Sequence, residues 1–153
     1  MMDDGVSSGT GLHLIDRVLI VPVGADPDDQ AARRLRRDVL AKTESASPKG
    51  VILDVSAVRV LDSYTFSILA ETARMTALLG AKTIFVGFQA GVASALIDLD
   101  VNVTDLQTAV TVDDALELLR SQSAAGPRLE GEAEAPEDDG EIAEDLDPED
   151  GRD

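Results

Sequence analysis

The sequence predicts an α/β fold: a mostly parallel or mixed central sheet with helical cover, in a single domain followed by an acidic tail. Three observations predict it. Apolar runs of strand length alternate with segments of helical period from about residue 12 to residue 122. Two of those runs, VILDVS and AKTIFVG, are continuously apolar and rich in β-branched residues, the pattern of strands buried on both faces. Helical segments join the successive strands after the first helix, as parallel pairing requires.

The elements read in order as follows. LHLI and VLIVPV are short apolar runs separated by Asp16-Arg17, which predicts a hairpin, with Pro22 at a sheet edge or a strand end. Asp26-Pro27 predicts a helix cap followed by proline at the first helical position. The helix that follows turns Ala32, Leu35, Val39 and Leu40 inward, and SPKG breaks it. After VILDVS, the stretch VRVLDSYTFSILAETARMTALLG passes from strand-like into helix-like sequence at Asp62-Ser63. Ser63 is expected to cap this helix, Phe66, Leu69, Ala70, Ala73 and Ala77 to form its inner face, and Gly80 to end it. AKTIFVG is the next strand. AGVASALIDL is a short helix with Val92, Leu96 and Leu99 inward, and LQTAV is a last short strand. Thr111 caps VDDALELLRSQ, whose Asp113 and Asp114 suit the positive end of the helix dipole.

Composition narrows the class. The chain has 153 residues, 44% hydrophobic but only 3% aromatic, so its core is expected to be aliphatic. It has no cysteine, which excludes disulfides and thiolate metal sites. The opening MMDDGVSSGTG does not resemble a signal peptide, and no apolar run approaches the roughly 20 residues of a membrane span. The expectation is a cytoplasmic protein with no membrane partner. Net charge is −17, and residues 126–153 hold 13 acidic and 2 basic residues, or −11. Such a surface argues against nucleic acid as a partner. The domain is expected to span 12–123, after a flexible start at 1–11 and before a disordered acidic tail at 124–153. Within that tail Ile142 and Leu146 stand four residues apart, the spacing of a short docking helix.

Chemistry is sparse. Glycines at phosphate-loop or dinucleotide spacing are absent, and the Gly87/Gly91 turn is followed by no lysine. The single histidine, His13, falls in a strand-like run, far in sequence from any candidate nucleophile. With one histidine and scattered carboxylates the sequence predicts no metal, no cofactor and no catalysis. Arg33, Arg34, Arg36 and Arg37 form a basic cluster on the outer and flanking faces of their helix, either a solvated face or a dock for an acidic neighbour. The Asp62-Ser63 corner has a second use beyond capping. A helix N-terminus accommodates phosphate, and modifying Ser63 would add about −1.5 to −2 charges beside Asp62. The corner could act as a switch.

At these residues the chain resembles a known family. VILDVSAVRVLDSYTFSILAETARMTALLGAKTIFVGFQAGVASALIDLDV looks like the heart of a STAS domain, the fold of bacterial anti-sigma-factor antagonists. More narrowly, LDVSAVRVLDS and LLGAKTIFVGFQAGVASALIDLDV are similar to the RsbS type, the scaffold of the stressosome. The resemblance implies that Ser63 is phosphorylated by an RsbT-like serine/threonine kinase, that Asp62, Tyr64 and Thr65 shape the partner-docking surface, and that ATP belongs to the kinase. It also implies co-assembly with RsbR-like STAS paralogues in homo- or hetero-oligomers. Direct antagonists of the RsbV type follow the serine with a small residue and then glycine, whereas this chain has Tyr64 and Thr65. Larger stressosome paralogues carry a second phosphorylated threonine where this chain has Ala95, next to Ser94. Two alternatives stand beside this reading: a direct anti-sigma-factor antagonist, and a small hydrolase using Ser63, for which no general base is in view.

Overall fold

In the computed structural model, residues 11–125 are described. The chain divides into two units, Met1–Leu119 and Arg120–Asp153, and the fold below is that of the first. The elements are β1 (His13–Ile15), β2 (Val18–Pro22), α1 (Asp29–Ala46), β3 (Gly50–Asp54), α2 (Ser63–Leu78), β4 (Lys82–Val86), α3 (Ala90–Asp98), β5 (Gln107–Ala109) and α4 (Val112–Ala125). α4 runs two residues into the segment assigned to the tail. The rest of that tail, 126–153, and residues 1–10 lie outside the described residues.

The hairpin forms as its turn chemistry requires. Asp16 and Arg17 both adopt positive φ, 53° and 66°, so β1 and β2 pair antiparallel from Ile15↔Val18 to His13↔Ile20. β2, β3, β4 and β5 then pair in parallel, in the sheet order β1-β2-β3-β4-β5. Pro22 ends β2, where its missing N–H costs the ladder least.

Sequential order has a direct consequence. Parallel crossovers share one hand as a rule, and three of them made in one direction put α1, α2 and α3 on one face of the sheet, where their core residues form one cluster. Strand alternation serves both faces. Leu19, Val21, Val51, Leu53 and Phe85 pack with Leu35, Val39, Phe66, Leu69, Val92 and Leu96 of those helices. Val18, Ile52, Ile84 and Val86 point the other way, onto Ala115 and Leu119 of α4. The expectation of strands buried on both faces is met.

Several local assignments change. α1 is capped by Asp28, not Asp26: Asp28 Oδ1 accepts from Ala31 N at 2.7 Å. The carbonyl of Ala25 is held by Arg59 N at 2.9 Å, which keeps the chain attached to the loop after β3 until Pro27. Asp26 instead lies 3.6 Å from Arg59 Nη2. On α2, Ala77 is exposed and Thr72 and Thr76 are buried in its place. Their hydroxyls are satisfied locally, Thr72 Oγ1 donating to Ile68 O at 2.7 Å and Thr76 Oγ1 to Ala73 O at 2.9 Å. Leu99 is the C-cap of α3 and 53% exposed, because the helix stops one residue before it. Thr111 caps α4 as expected, its Oγ1 accepting from Asp114 N at 3.1 Å.

Candidate functional site

The Asp62-Ser63 corner is reached through a loop, residues 55–61, that is fastened at several points. Val55 N donates to Val86 O at 2.9 Å, extending the β3–β4 pairing by one residue. Asp54 Oδ1 accepts from Ser56 N at 3.0 Å, closing a local turn. Arg59 N donates to Ala25 O, and Gln89 Nε2, at the start of α3, donates to Ser56 O at 2.8 Å. Gly87 presses on the same spot: at φ +84°, a Cβ there would stand 2.7 Å from the Ser56 Cβ. Val58 and Leu61 are buried, while Val60 between them is 66% exposed. The corner is therefore held by buried anchors and backbone bonds, with one apolar side chain presented outward.

At the corner the two polar residues divide the work differently from the expectation. Asp62 is the N-cap, in extended conformation, with Oδ1 accepting from Thr65 N at 2.7 Å. Its backbone carbonyl accepts the first helical bond from Phe66 N at 2.9 Å. Ser63 is the first helical residue and is exposed, so its hydroxyl is not the cap. The bond from Thr65 N holds the Asp62 carboxyl below the usual carboxylate range, with smaller help from the Thr65 hydroxyl and Tyr64 N–H, against slight desolvation. Asp62 stays ionised beside Ser63.

Tyr64 is 54% exposed and lies at the outer side of the same turn. Its hydroxyl accepts from Arg33 Nη2 of α1 at 2.6 Å, and the Arg33 guanidinium carbon sits 5.7 Å from the ring centroid. This bond, and the proximity of Tyr64, raise the Arg33 pKa above its already high ordinary value. One turn on, Arg36 Nη1 meets Glu71 Oε1 at 2.6 Å. Thr65 is corrected: it is 1% exposed, turned to the core beside Phe66, and offers no side chain to a docking surface. A residue three places after an N-cap with Phe66 buried next to it has little choice of face. Phe66 itself packs against Phe85 and Phe88, with centroids 6.0 Å and 6.4 Å away, and fixes the first turn from behind.

Ser94 and Ala95 are exposed on α3, and His13 is exposed on β1. Among the described residues, no three His, Cys, Asp or Glu side chains are placed to hold a metal ion, and no helix is long and apolar enough to cross a membrane. The Arg33–Tyr64 clasp has no signal in the sequence. The partners are 31 residues apart, and only the packing of α1 on α2 brings them together.

The STAS domain profile matches residues 12–115 of the chain. Among solved structures, a serine-to-glutamate variant of RsbS from Moorella thermoacetica superposes with a TM-score of 0.68 at 23% identity, covering 76% of this chain and 99% of its own. A structure showing the molecular architecture of the stressosome, a signal integration and transduction hub, gives 0.63 at 24% identity, covering 72% and 96%. The anti-sigma factor antagonist SpoIIAA in its unphosphorylated form gives 0.56 at 12% identity, covering 72% and 97%. At these identities the likeness is one of fold. No curated protein matches in sequence.

Proposed function

This chain belongs to the STAS domain family, and from that premise we propose that it is a non-catalytic regulator of the RsbS type. In the unmodified state it holds an RsbT-like serine kinase within an assembly that includes RsbR-like STAS paralogues. Phosphorylation of Ser63 releases the kinase, which acts on the pathway that controls a sigma factor.

The observation that carries this reading is the position of Ser63. It is exposed at the first position of α2, while Asp62 performs the capping. A phosphate can therefore be added without removing the bond that starts the helix. The helix N-terminus accommodates it. The outer surface changes sharply, however. The exposed side chains of Val60 and Tyr64 are themselves uncharged and partly apolar, and about −1.5 to −2 charges would appear at Ser63, next to the ionised Asp62. A partner seated on that face would have to strip water from a phosphate, which is costly even where a cation stands beside it.

The test is incubation of the protein with its RsbT-like kinase and ATP, followed by mass-spectrometric mapping and a kinase-binding assay. One phosphate on Ser63 is expected, with weaker kinase binding afterwards. Ser63→Ala should abolish labelling and still bind the kinase. Phosphate mapping elsewhere, together with Ser63-phosphorylated protein that binds as tightly as the unmodified form, would overturn the mechanism. The fold likeness to SpoIIAA supports a second reading, a direct antagonist that binds an anti-sigma kinase without large assemblies. Light scattering separates the two: a strict monomer, alone and with a STAS paralogue, selects the direct antagonist.

A further inference from the structure

Arg33 belongs to α1 but makes its closest contact at the first turn of α2. Four arginines line this stretch of α1, and the partners of Arg33, Arg36 and Arg37 differ in kind. Arg36 meets a carboxylate on α2, Glu71, and Arg37 lies 3.6 Å from Asp38. Arg33 meets on α2 only a neutral phenol, the Tyr64 hydroxyl. Its carboxylate neighbour, Asp29, lies one turn back on α1 at 3.5 Å, and both side chains are 49% exposed. Asp62, the acid nearest to Ser63 in the chain, is occupied by the Thr65 N–H. A half-exposed guanidinium is thus held beside Ser63's neighbour by an uncharged acceptor.

We propose that Arg33 reads the phosphorylation of Ser63: it clasps Tyr64 in the unmodified protein and moves to the phosphate once Ser63 is modified, releasing Tyr64. This rests on Ser63 being the phosphoacceptor, as argued above. The kinase carries out the transfer itself. The Ser63 Oγ–P bond forms as the γ-phosphoryl bond to ADP breaks and the hydroxyl proton leaves, and Arg33 takes no part. The exchange that follows is favourable because a phosphate offers charged oxygens that a guanidinium can engage in pairs, whereas a phenol offers one neutral acceptor. The move is a swing of the side chain about its own torsions: Ser63 adjoins Tyr64 in the first turn of α2, and the Arg33 side chain is long and half in solvent. The kinase-docking face then changes in shape as well as in charge.

The chain has one tyrosine and no tryptophan, so its intrinsic fluorescence reports Tyr64 alone. The experiment uses the full chain with phosphoserine encoded genetically at position 63, which needs no kinase. Acrylamide quenching follows Tyr64, and phosphorus-31 NMR titrates the phosphate. Phosphorylation should raise quenching to the level that Arg33→Met shows without phosphate, and should not raise it further in Arg33→Met. The second ionisation of the phosphate should fall at lower pH in the wild type than in Arg33→Met, by about half a unit at this exposure. Arg33→Lys should keep part of that shift, because it keeps the charge and loses the fork. Unchanged Tyr64 quenching on phosphorylation, or identical phosphate titrations in wild type and Arg33→Met, would overturn the proposal. Failure of any kinase to label Ser63 would instead sink the proposed pathway and leave these readouts unaffected, so the two failures are distinguishable.

Discussion

Asp62 and Ser63 are both good helix caps, and from the sequence either could start α2. The structure gives the task to Asp62, because the burial of Thr65 and Phe66 goes with a helix that starts one residue earlier than a serine cap would set it. The same ambiguity moved the cap of α1 from Asp26 to Asp28. Adjacent capping residues are indistinguishable until the inner face is known, so the corner was legible and its division of labour was not. The stability consequence is specific. Asp62→Ala should cost about 1 kcal/mol, the usual value of a lost cap, while Ser63→Ala should stay within about 0.5 kcal/mol in urea unfolding. The acid response follows from the lowered carboxyl. A depressed folded-state pKa stabilises fully above the unfolded value of about 3.9 and is lost as pH falls through the folded value. Asp62→Asn keeps a capping oxygen but removes this titration. Wild type and Asp62→Asn should therefore differ in the slope of stability against pH below about 4, and a parallel pair of curves there would contradict the assignment.

On α2 the inner face was read from apolar spacing, which selected Ala73 and Ala77 and passed over Thr72 and Thr76. Threonine enters a helix core at little cost when its hydroxyl bonds the preceding turn, as both do here. A scale that ranks residues by polarity misses this. Thr76 also meets Thr83 of β4, with the two hydroxyl oxygens 2.6 Å apart in the interior. Since Thr76 donates to Ala73 O, Thr83 is the donor of this second bond. Thr76→Val should then cost roughly 1–3 kcal/mol, because it orphans the buried Thr83 donor, and Thr83→Val should cost less. Thr76→Val/Thr83→Val should recover part of the Thr76→Val loss, measured as a double-mutant cycle in denaturant. Strictly additive losses would mean that the hydroxyls are uncoupled. The loop between β3 and α2 offers a second case. Gly87→Ala meets both a positive φ and the Ser56 Cα at 3.1 Å, so it should destabilise by about 2 kcal/mol or more in thermal unfolding.

Across the molecule, the alternation of strands and helices told the architecture in advance, including β3 and β4 as strands buried on both sides. What it did not reveal is how unequally those sides are covered. Three helices share one face of the sheet, and α4 alone supplies Ala115 and Leu119 to the other. Leu119 fills the space a side chain at Gly50 would take, with its methyl carbons 2.6 Å from the position of an added Cβ. Leu119→Ala should cost about 2–5 kcal/mol, and Gly50→Ala alone should also destabilise. Combined, Gly50→Ala/Leu119→Ala should lose less than the sum, because the new methyl group enters the vacated volume; losses equal to the sum in urea unfolding would contradict this packing. The sheet has one more property, at its borders. Both outermost strands, β1 and β5, are three residues long, and β1 turns away through a tight reversal at Asp16-Arg17. So short a rim exposes only a few free amides and carbonyls, too few to template another chain. Among the described residues strand addition finds no long edge, and the surfaces left for copies or paralogues are those of helices and loops.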